Sequence, residues 1–482
     1  MERIIGREKE QKELQKLYNM NKSILLAVYG RRRVGKTYLI NEFFGDKFTF
    51  KHTGASNFEL KNASSKDKLN MQLGFFSDSL RRYGSNIKED VKTWREAFNE
   101  LITIIENNTS DRKVIFIDEM PWLETEDSFF LTAFEHFWNN YGSTRNDILL
   151  IVCGSASSWI TNKLINGKGG LYDRVNCEIK LEPLSLLECE KLCEASGIRW
   201  RRYQIVQAYM AIGGIPFYFG YLDSSLTLEQ NIDNLFFVKN AKMRNEFDRL
   251  FDSTFDRPDN IKSIVKILSK TKIGLSREDI AKALNVKAGG TLSNQLQDLI
   301  ENDYIVKYKD YKTKNRSWKY KLIDHFCLFY LKFVDNHQTI DEYFWSNNFS
   351  SQSTISWRGN AFEIICFNHI LQIKNKIGIS GLTSREALWS EKGEDNKRGS
   401  QIDLIIERND NVIDLCEAKF YGTDYVLDKD SFEVLNYHEE ILASVLNKKS
   451  IIEHVLITTF GLKNNMYSDI YKVVVTLDDL FK

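Results

Sequence analysis

Very little punctuates this chain. Only 4 of its 482 residues are proline, so turns and domain joints lack the residue that most firmly breaks helices and strands. Domain boundaries must come from changes of pattern. Cysteine is sparse and odd in number, at Cys153, Cys177, Cys189, Cys193, Cys327, Cys366 and Cys416. That scatter excludes a disulfide framework and fits reduced core thiols. Cys189 and Cys193 would share a helix face, but no second Cys or His pair stands near them, which argues against structural zinc. An excess of either charge is missing too: 66 basic residues balance 66 acidic ones. The whole molecule is therefore no electrostatic magnet for nucleic acid or an acidic membrane. Apolar runs such as residues 148–153 are strand-sized, far below the roughly 20 residues of a bilayer span. The opening stretch is charged from Glu2 onward and lacks the apolar segment of a secretory signal. These absences lead us to expect a cytoplasmic protein with no membrane partner.

What is present alternates. Residues 7–20 have helical spacing, 24–29 form a continuous apolar run, and a loop rich in Gly and Arg leads to a helix from Lys36. Residues 113–117 and 148–153 are two more apolar runs, with an aromatic-rich helical stretch at 129–140 between them. Buried strands alternating with helices predict a parallel sheet. From about residue 185 the pattern is helical. Three short helices over 260–302 and two strand-like runs around the loop KDYKTKNR then predict a winged helix. Lys307, Lys309, Lys312, Lys314, Arg316, Lys319 and Lys321 crowd its wing. Either they neutralise DNA phosphates, with Asn294 and Gln295 reaching base edges, or the winged helix only packs between domains. A third style, a helix followed by strands flanking Asn409-Asp410-Asn411, begins near residue 357. At this length several cores are expected. The predicted division is 1–184, an α/β core; 185–255, a helical segment; 256–325, the winged helix; 326–356, a connecting segment; and 357–482, a C-terminal α/β domain.

The first apolar run opens into Gly30-Arg31-Arg32-Arg33-Val34-Gly35-Lys36-Thr37, a complete phosphate-loop pattern between strand and helix. Gly30 and Gly35 let backbone N–H groups approach phosphate oxygens, and the helix N-terminus adds partial positive charge. Lys36 would reach the β- and γ-phosphates of a nucleotide, and Thr37 would ligate Mg²⁺. Arg33, Val34 and Tyr38 flank these groups and count as binding positions, although solvated side chains are expected for Arg31, Arg32 and Arg33. The next run ends in Asp118-Glu119. Asp118 would hold Mg²⁺ through water, and Glu119 would act as general base on the attacking water. Ser155, ending the third run, would either sense the γ-phosphate or cap the next helix. Arg174 would either supply charge to a phosphate, in cis or from a second copy, or be a surface arginine.

Together with Ile5-Gly6-Arg7-Glu8-x-Glu10, the strand IFIDEMPWL, CGSASSWI and Gly213-Gly214-Ile215-Pro216, the loop resembles the archaeal-type ATPase family, on the AAA+ and STAND side of the P-loop NTPases. The resemblance covers roughly residues 1–250. It implies ATP rather than GTP, a helical lid and a winged helix. It would place Ile5, Gly6 and Arg7 near the base and Pro216 close to the nucleotide.

In the C-terminal part, Asp403 lies fourteen residues before Glu417-Ala418-Lys419, behind a helical stretch bearing Glu363. Strand alternation turns Glu417 and Lys419 to one face. Carboxylates that hold Mg²⁺ beside a lysine that orients water are equipment for phosphodiester cleavage. The spacing resembles the PD-(D/E)xK nuclease superfamily and the domain often attached to archaeal-type ATPases. That likeness maps Glu363, Asp403, Glu417 and Lys419 onto active positions, with Asp403 and Glu417 as metal ligands. The combined expectation is a multidomain α/β protein that binds and hydrolyses ATP with Mg²⁺. Its nucleotide state would control a restriction-nuclease-like domain acting on double-stranded DNA, with a homo-oligomer or protein partner open. The alternative is a nucleotide-controlled signalling switch whose C-terminal domain is inert and binds a partner.

Overall fold

The computed structural model describes residues 4–56, 63–167, 170, 173–255, 257–309, 311, 318–335, 337, 341–391, 400–446 and 449–482. The chain divides into two units, Met1–Pro183 with Asp248–Pro258, and Leu184–Phe247 with Asp259–Lys482.

In the first unit the apolar runs become parallel strands: β1 (Ile24–Tyr29), β2 (Phe48–Thr53), β3 (Lys113–Asp118), β4 (Ile148–Gly154) and β5 (Cys177–Lys180). They pair in the order β2-β3-β4-β1-β5. Every residue of β3 and β4, and all of β1 except Tyr29, is buried, which is why these strands read as unbroken hydrophobic runs. This order fixes the spacing of the sequence motifs. β4 lies between β1 and β3, so the strand ends bearing the phosphate loop and the acid pair stand two strand spacings, about 10 Å, apart.

The helices Ser65–Arg82, Trp94–Asn107 and Phe130–Asn140 bury an aromatic cluster beside this sheet, including Phe50, Phe76, Trp94, Phe98, Phe130, Phe134 and Phe137. Phe98 stacks on Phe137 with centroids 5.2 Å apart and meets Phe134 edge-on at 5.9 Å. The Trp94 helix is started by Thr93, whose side chain accepts from the Glu96 N–H, a cap that satisfies one orphan donor.

The second unit opens with the helices Leu186–Ala195, Arg202–Ile212, Pro216–Phe219 and Leu228–Phe236. Ser185 and Glu188 form a reciprocal cap at the first of these. Three further helices, Pro258–Leu268, Arg277–Leu284 and Gly290–Glu301, accompany a small antiparallel sheet of β6 (Leu275–Ser276), β7 (Ile305–Tyr308) and β8 (Lys319–Leu322), ordered β6-β8-β7. The unit ends in a mixed sheet: β9 (Ser384–Glu391), β10 (Ser400–Arg408), β11 (Val412–Lys419), β12 (Ile451–Thr458) and β13 (Tyr471–Val475), ordered β13-β12-β11-β10-β9. Its β9-β10-β11 half is antiparallel and its β11-β12-β13 half parallel.

The helix expected from residue 357 begins earlier, at Gln352, because Ser351 caps it through the Thr354 N–H. Much of the loop KDYKTKNR, including Lys312, Lys314 and Arg316, lies outside the described residues. Tyr311 within it is buried in the core of the C-terminal sheet with Trp389, Ile402 and Ile405. Its N–H donates to the Leu388 carbonyl at 3.2 Å and its hydroxyl to Glu407 at 2.8 Å. All seven cysteines are free thiols. Among the described residues no helix is long and apolar enough to cross a membrane.

Truncating the centre of the aromatic cluster leaves a cavity that the surrounding rings cannot fill. Phe98→Ala should lower the unfolding free energy of the first unit by about 3–5 kcal/mol, which urea denaturation followed by tryptophan fluorescence would measure.

Candidate nucleotide and carboxylate sites

Backbone conformation builds the phosphate loop. Gly30, Arg33 and Gly35 have φ of 139°, 72° and 94°, so the chain curls between β1 and the helix Lys36–Phe44. Gly30 is sterically obligatory: a Cβ there would sit 2.3 Å from the Leu181 carbonyl oxygen. At the helix start, Gly35 offers no side-chain cap and the first turn carries no acid. The first N–H groups are thus left to an anionic ligand. The Lys36 ammonium donates to the Gly30 and Arg31 carbonyls at 2.8 and 3.0 Å. An ammonium has three donors, so one remains for a phosphate oxygen.

Thr37 Oγ1 donates to Asp118 Oδ2 at 2.9 Å, and the Glu119 N–H to Asp118 Oδ1 at 3.0 Å. Burial, followed by the neighbouring Glu119 charge, pushes the Asp118 carboxyl above its ordinary value, against the Thr37 hydrogen bond. A cation beside it would reverse that push. A threonine hydroxyl and an aspartate, both oxygen donors, fit Mg²⁺. Glu119 itself adopts φ 47°. Its Oε2 accepts from both the N–H and the hydroxyl of Ser155, at 3.0 and 2.9 Å. Ser155 follows β4, the strand between the other two.

The N-terminal segment packs on the loop. Arg7, 6% exposed and with φ 59°, donates to the Val34 carbonyl at 3.2 Å. Gln11 holds the Gly6 carbonyl at 2.7 Å. Of Ile5, Gly6 and Arg7, the last is brought to the phosphate loop by its hydrogen bond to Val34. The expectation of solvated loop arginines needs correcting. Arg31 is 2% exposed. Arg32 donates to the Ser253 carbonyl at 3.4 Å, and its guanidinium lies 5.9 Å from the Trp122 ring centre. Tyr38 is exposed at 55%. Arg174 is exposed as well. Pro216 belongs to the second unit, where it opens a short helix after Gly213, at φ 66°.

In the C-terminal sheet Leu404 pairs with Cys416, and continuing the register sets Asp403 opposite Glu417. An irregularity between Ile402 and Ile405 in the β9 pairing coincides with Asp403, as bulges often do where a side chain is re-aimed. Asp403 Oδ2 accepts from the Ala418 N–H at 3.0 Å, and Lys419 Nζ lies 2.6 Å from Glu417 Oε1. Burial pushes the Asp403 carboxyl far above the usual range, with Glu363 and Glu417 adding to it. Burial also raises Glu363, against the attraction of Lys321 and Lys272. Burial works against the Lys419 ammonium, but Glu417 outweighs it and holds its pKa above the ordinary lysine value. Glu363, Asp403, Glu417 and Lys419 are thus electrostatically one group. Among the described residues no three His, Cys, Asp or Glu side chains already converge to hold a metal ion. Oxygen donors at Asp403 and Glu417 suit Mg²⁺ chemically, but Glu417 would have to exchange its lysine partner for the ion.

Residues 4–222 match a family of ATPase domains predominantly from Archaea. This stretch is similar to an archaeal-type ATPase domain. The chain is 24% identical over 435 residues to an uncharacterised protein of Methanocaldococcus jannaschii, across 86% of this chain and 87% of that one. A 44-residue stretch, 9% of this chain and 75% of its relative, is 46% identical to an ATP-binding protein of the same organism. A Walker-type ATPase of Pyrococcus abyssi superposes on 68% of this chain and 96% of its own at a TM-score of 0.45 and 17% identity. The ORC2 protein of Aeropyrum pernix, solved in ADPNP–ADP complexes, does so on 68% and 93% at 0.37 and 14%. The family match supports an ATPase-type function for residues 4–222.

Sequence reasoning missed two supports of the ATPase domain. Cys153 lies buried beside Asp118. Gly154 leaves room for Pro121, whose Cδ a Cβ at Gly154 would approach to 2.7 Å. The glycine in Cys153-Gly154-Ser155 was the available signal.

Since the Gly30 conformation admits no side chain, Gly30→Ala should disrupt the loop at a backbone cost of about 1–3 kcal/mol. Affinity for a fluorescent ATP analogue should fall about 10- to 100-fold, read by titration, with the protein otherwise folded by circular dichroism.

Proposed function

We propose that the chain is a Mg²⁺-dependent ATP hydrolase whose nucleotide state controls a restriction-nuclease-like domain acting on double-stranded DNA. One observation supports this reading above the rest: an archaeal-type ATPase domain shares a chain with Asp403, Glu417 and Lys419, set together on two paired strands. At the first site, bound Mg²⁺ would add positive charge where phosphate charge develops. The chain's own groups do the rest. The remaining Lys36 donor binds a phosphate oxygen, Thr37 and Asp118 hold the ion, and Glu119 accepts the proton of the attacking water. Ser155 orients Glu119 through its two hydrogen bonds to Oε2, which leaves Oε1 to accept that proton. Arg174 is a candidate phosphate ligand, in cis or from a second copy.

In the second unit the three helices and the small β6-β8-β7 sheet fit a winged helix. Asn294 is exposed on the helix Gly290–Glu301. Lys307 and Lys309 flank Trp318, with ammonium-to-ring distances of 4.6 and 4.3 Å, which makes a basic, aromatic edge suited to a nucleic-acid backbone. At the carboxylate site Asp403 and Glu417 would hold the ion, Lys419 would orient the attacking water, and Glu363 would support them from the helix. The anchoring of Tyr311 in the C-terminal sheet and the Glu417–Lys419 ion pair favour the second reading, a nucleotide-controlled switch whose C-terminal domain binds a partner without cleaving.

The two readings separate in one set of assays. ATP hydrolysis should be stimulated by double-stranded DNA and abolished by Lys36→Ala, and Glu119→Gln should retain nucleotide while turning over about 10²–10⁴-fold more slowly. Nucleotide-loaded wild type should nick plasmid DNA with Mg²⁺, and Glu417→Ala and Lys419→Ala should not. Hydrolysis indifferent to DNA, with no nicking by the wild type, would select the switch.

A further inference from the structure

One aromatic side chain in the second unit lies against both carriers of the carboxylate group, yet comes from neither. Tyr203 sits at the start of the helix Arg202–Ile212, far upstream in sequence. Its ring lies flat on Phe420, with centroids 5.0 Å apart and planes 4° from parallel, and meets Phe460 at 5.5 Å. Phe420 immediately follows Lys419 at the end of β11. It also meets Phe362 at 5.3 Å, a fully buried ring that immediately precedes Glu363. Tyr203 also interacts electrostatically with Arg358, earlier on the Glu363 helix. Next along the chain, the Tyr421 N–H donates to Thr459 Oγ1 at 2.8 Å, which ties the Phe420 turn to the segment bearing Phe460. Rings adjacent in sequence to Glu363 and to Lys419 are therefore packed in one cluster, with Tyr203 against Phe420.

The same helix is fastened to the C-terminal domain elsewhere. Arg202 pairs with Asp478 at 2.9 Å and with Glu190 at 2.8 Å. Tyr209 meets the His369 ring edge-on at 5.9 Å. The Leu186 N–H donates to His369 Nε2 at 3.1 Å. Displacing the helix would thus pull on Phe420 and Phe362 together, because close-packed rings transmit displacement.

We propose that Tyr203 is a positioning residue for the carboxylate site: its ring, supplied by the helical segment, sets the spacing between Glu363 and the Glu417–Lys419 strand end and so sets divalent-cation affinity there. The inference rests on the reading of Glu363, Asp403, Glu417 and Lys419 as a cation site, and deepens it by naming the element that controls it. It gives the helical segment a direct hold on the output site, independent of the wing.

The test is Mn²⁺ binding to the full chain without nucleotide, followed by electron paramagnetic resonance of the free ion, in an Asp118→Asn background that removes the ion site of the ATPase domain. Glu417→Gln should abolish the remaining site. Tyr203→Ala should weaken it about tenfold, a change of about 1.4 kcal/mol, while Tyr203→Phe, which keeps the ring, should bind within about twofold of the parent. If Tyr203→Ala proves unfolded by circular dichroism, Phe420→Leu removes the stack from the other side and is held to the same tenfold criterion. A site that Glu417→Gln removes but Tyr203→Ala or Phe420→Leu leaves unchanged would overturn the role of Tyr203 alone. A parent with no Mn²⁺ that Glu417→Gln removes would overturn the cation-site reading, and the role of Tyr203 with it.

Discussion

The hydrogen bond from Thr37 to Asp118 is the contact on which the nucleotide site turns. It joins the helix after the phosphate loop to the end of a strand that is not the loop strand's neighbour. With β4 between them, β1 and β3 cannot pair, and their ends stay about 10 Å apart. That gap is the size at which a hydroxyl from one side and a carboxylate from the other approach the same ion. It also leaves a place at the end of the intervening strand, and Ser155 takes it. Asp118 accepts from Thr37 and from the Glu119 N–H, and both bonds oppose the effect of its burial. Burial alone would favour its neutral form.

The loop depends in turn on what lies beneath it. The Gly30 backbone fits only because it carries no side chain against Leu181. The Arg7 guanidinium closes on Val34 from the N-terminal segment, and buried Arg31 and ring-packed Arg32 occupy positions that composition alone would give to solvent. A glycine-rich loop gains flexibility at an entropic cost. These contacts restrict it before any ligand binds, and preorganisation of that kind lowers the cost of binding.

Legibility followed burial. The strands β1, β3 and β4 were plain in the sequence because both their faces are covered, so each is an unbroken apolar run. Their ends, bearing the loop and the acid pair, were plain for the same reason. β9 and β13 escaped notice. β13 exposes part of its surface, which blurs the run, and β9 carries Arg385 and Glu386 among its apolar residues. The stretch between β1 and β3 was hidden because β2 mixes Lys51 and His52 with its aromatics. At the C-terminal site the Glu417–Lys419 alternation and the hairpin register to Asp403 followed from period two. The role of Phe420 did not, since its partner Tyr203 lies more than two hundred residues upstream and no local periodicity reports a contact of that range.

The same physics explains why the carboxylate group is poised rather than open. Three acids near one another, in part shielded from water, repel; burial and mutual charge push Asp403 and Glu363 toward their neutral forms. The chain answers with cations of its own. Lys419 pairs with Glu417, and Lys321, on β8 of the small sheet, interacts with Glu363 and Asp403. An internal lysine and a bound Mg²⁺ perform the same electrostatic service for carboxylates, so each lysine competes with the ion it would work beside. The balance is then set by geometry, through whatever holds β11, the Glu363 helix and β8 at their present spacing. Tyr311, buried in the core of the C-terminal sheet, and Tyr203, stacked on Phe420, hold that spacing from the wing loop and from the helical segment. Under the proposed reading, a small change in either spacing would shift the competition between lysine and metal.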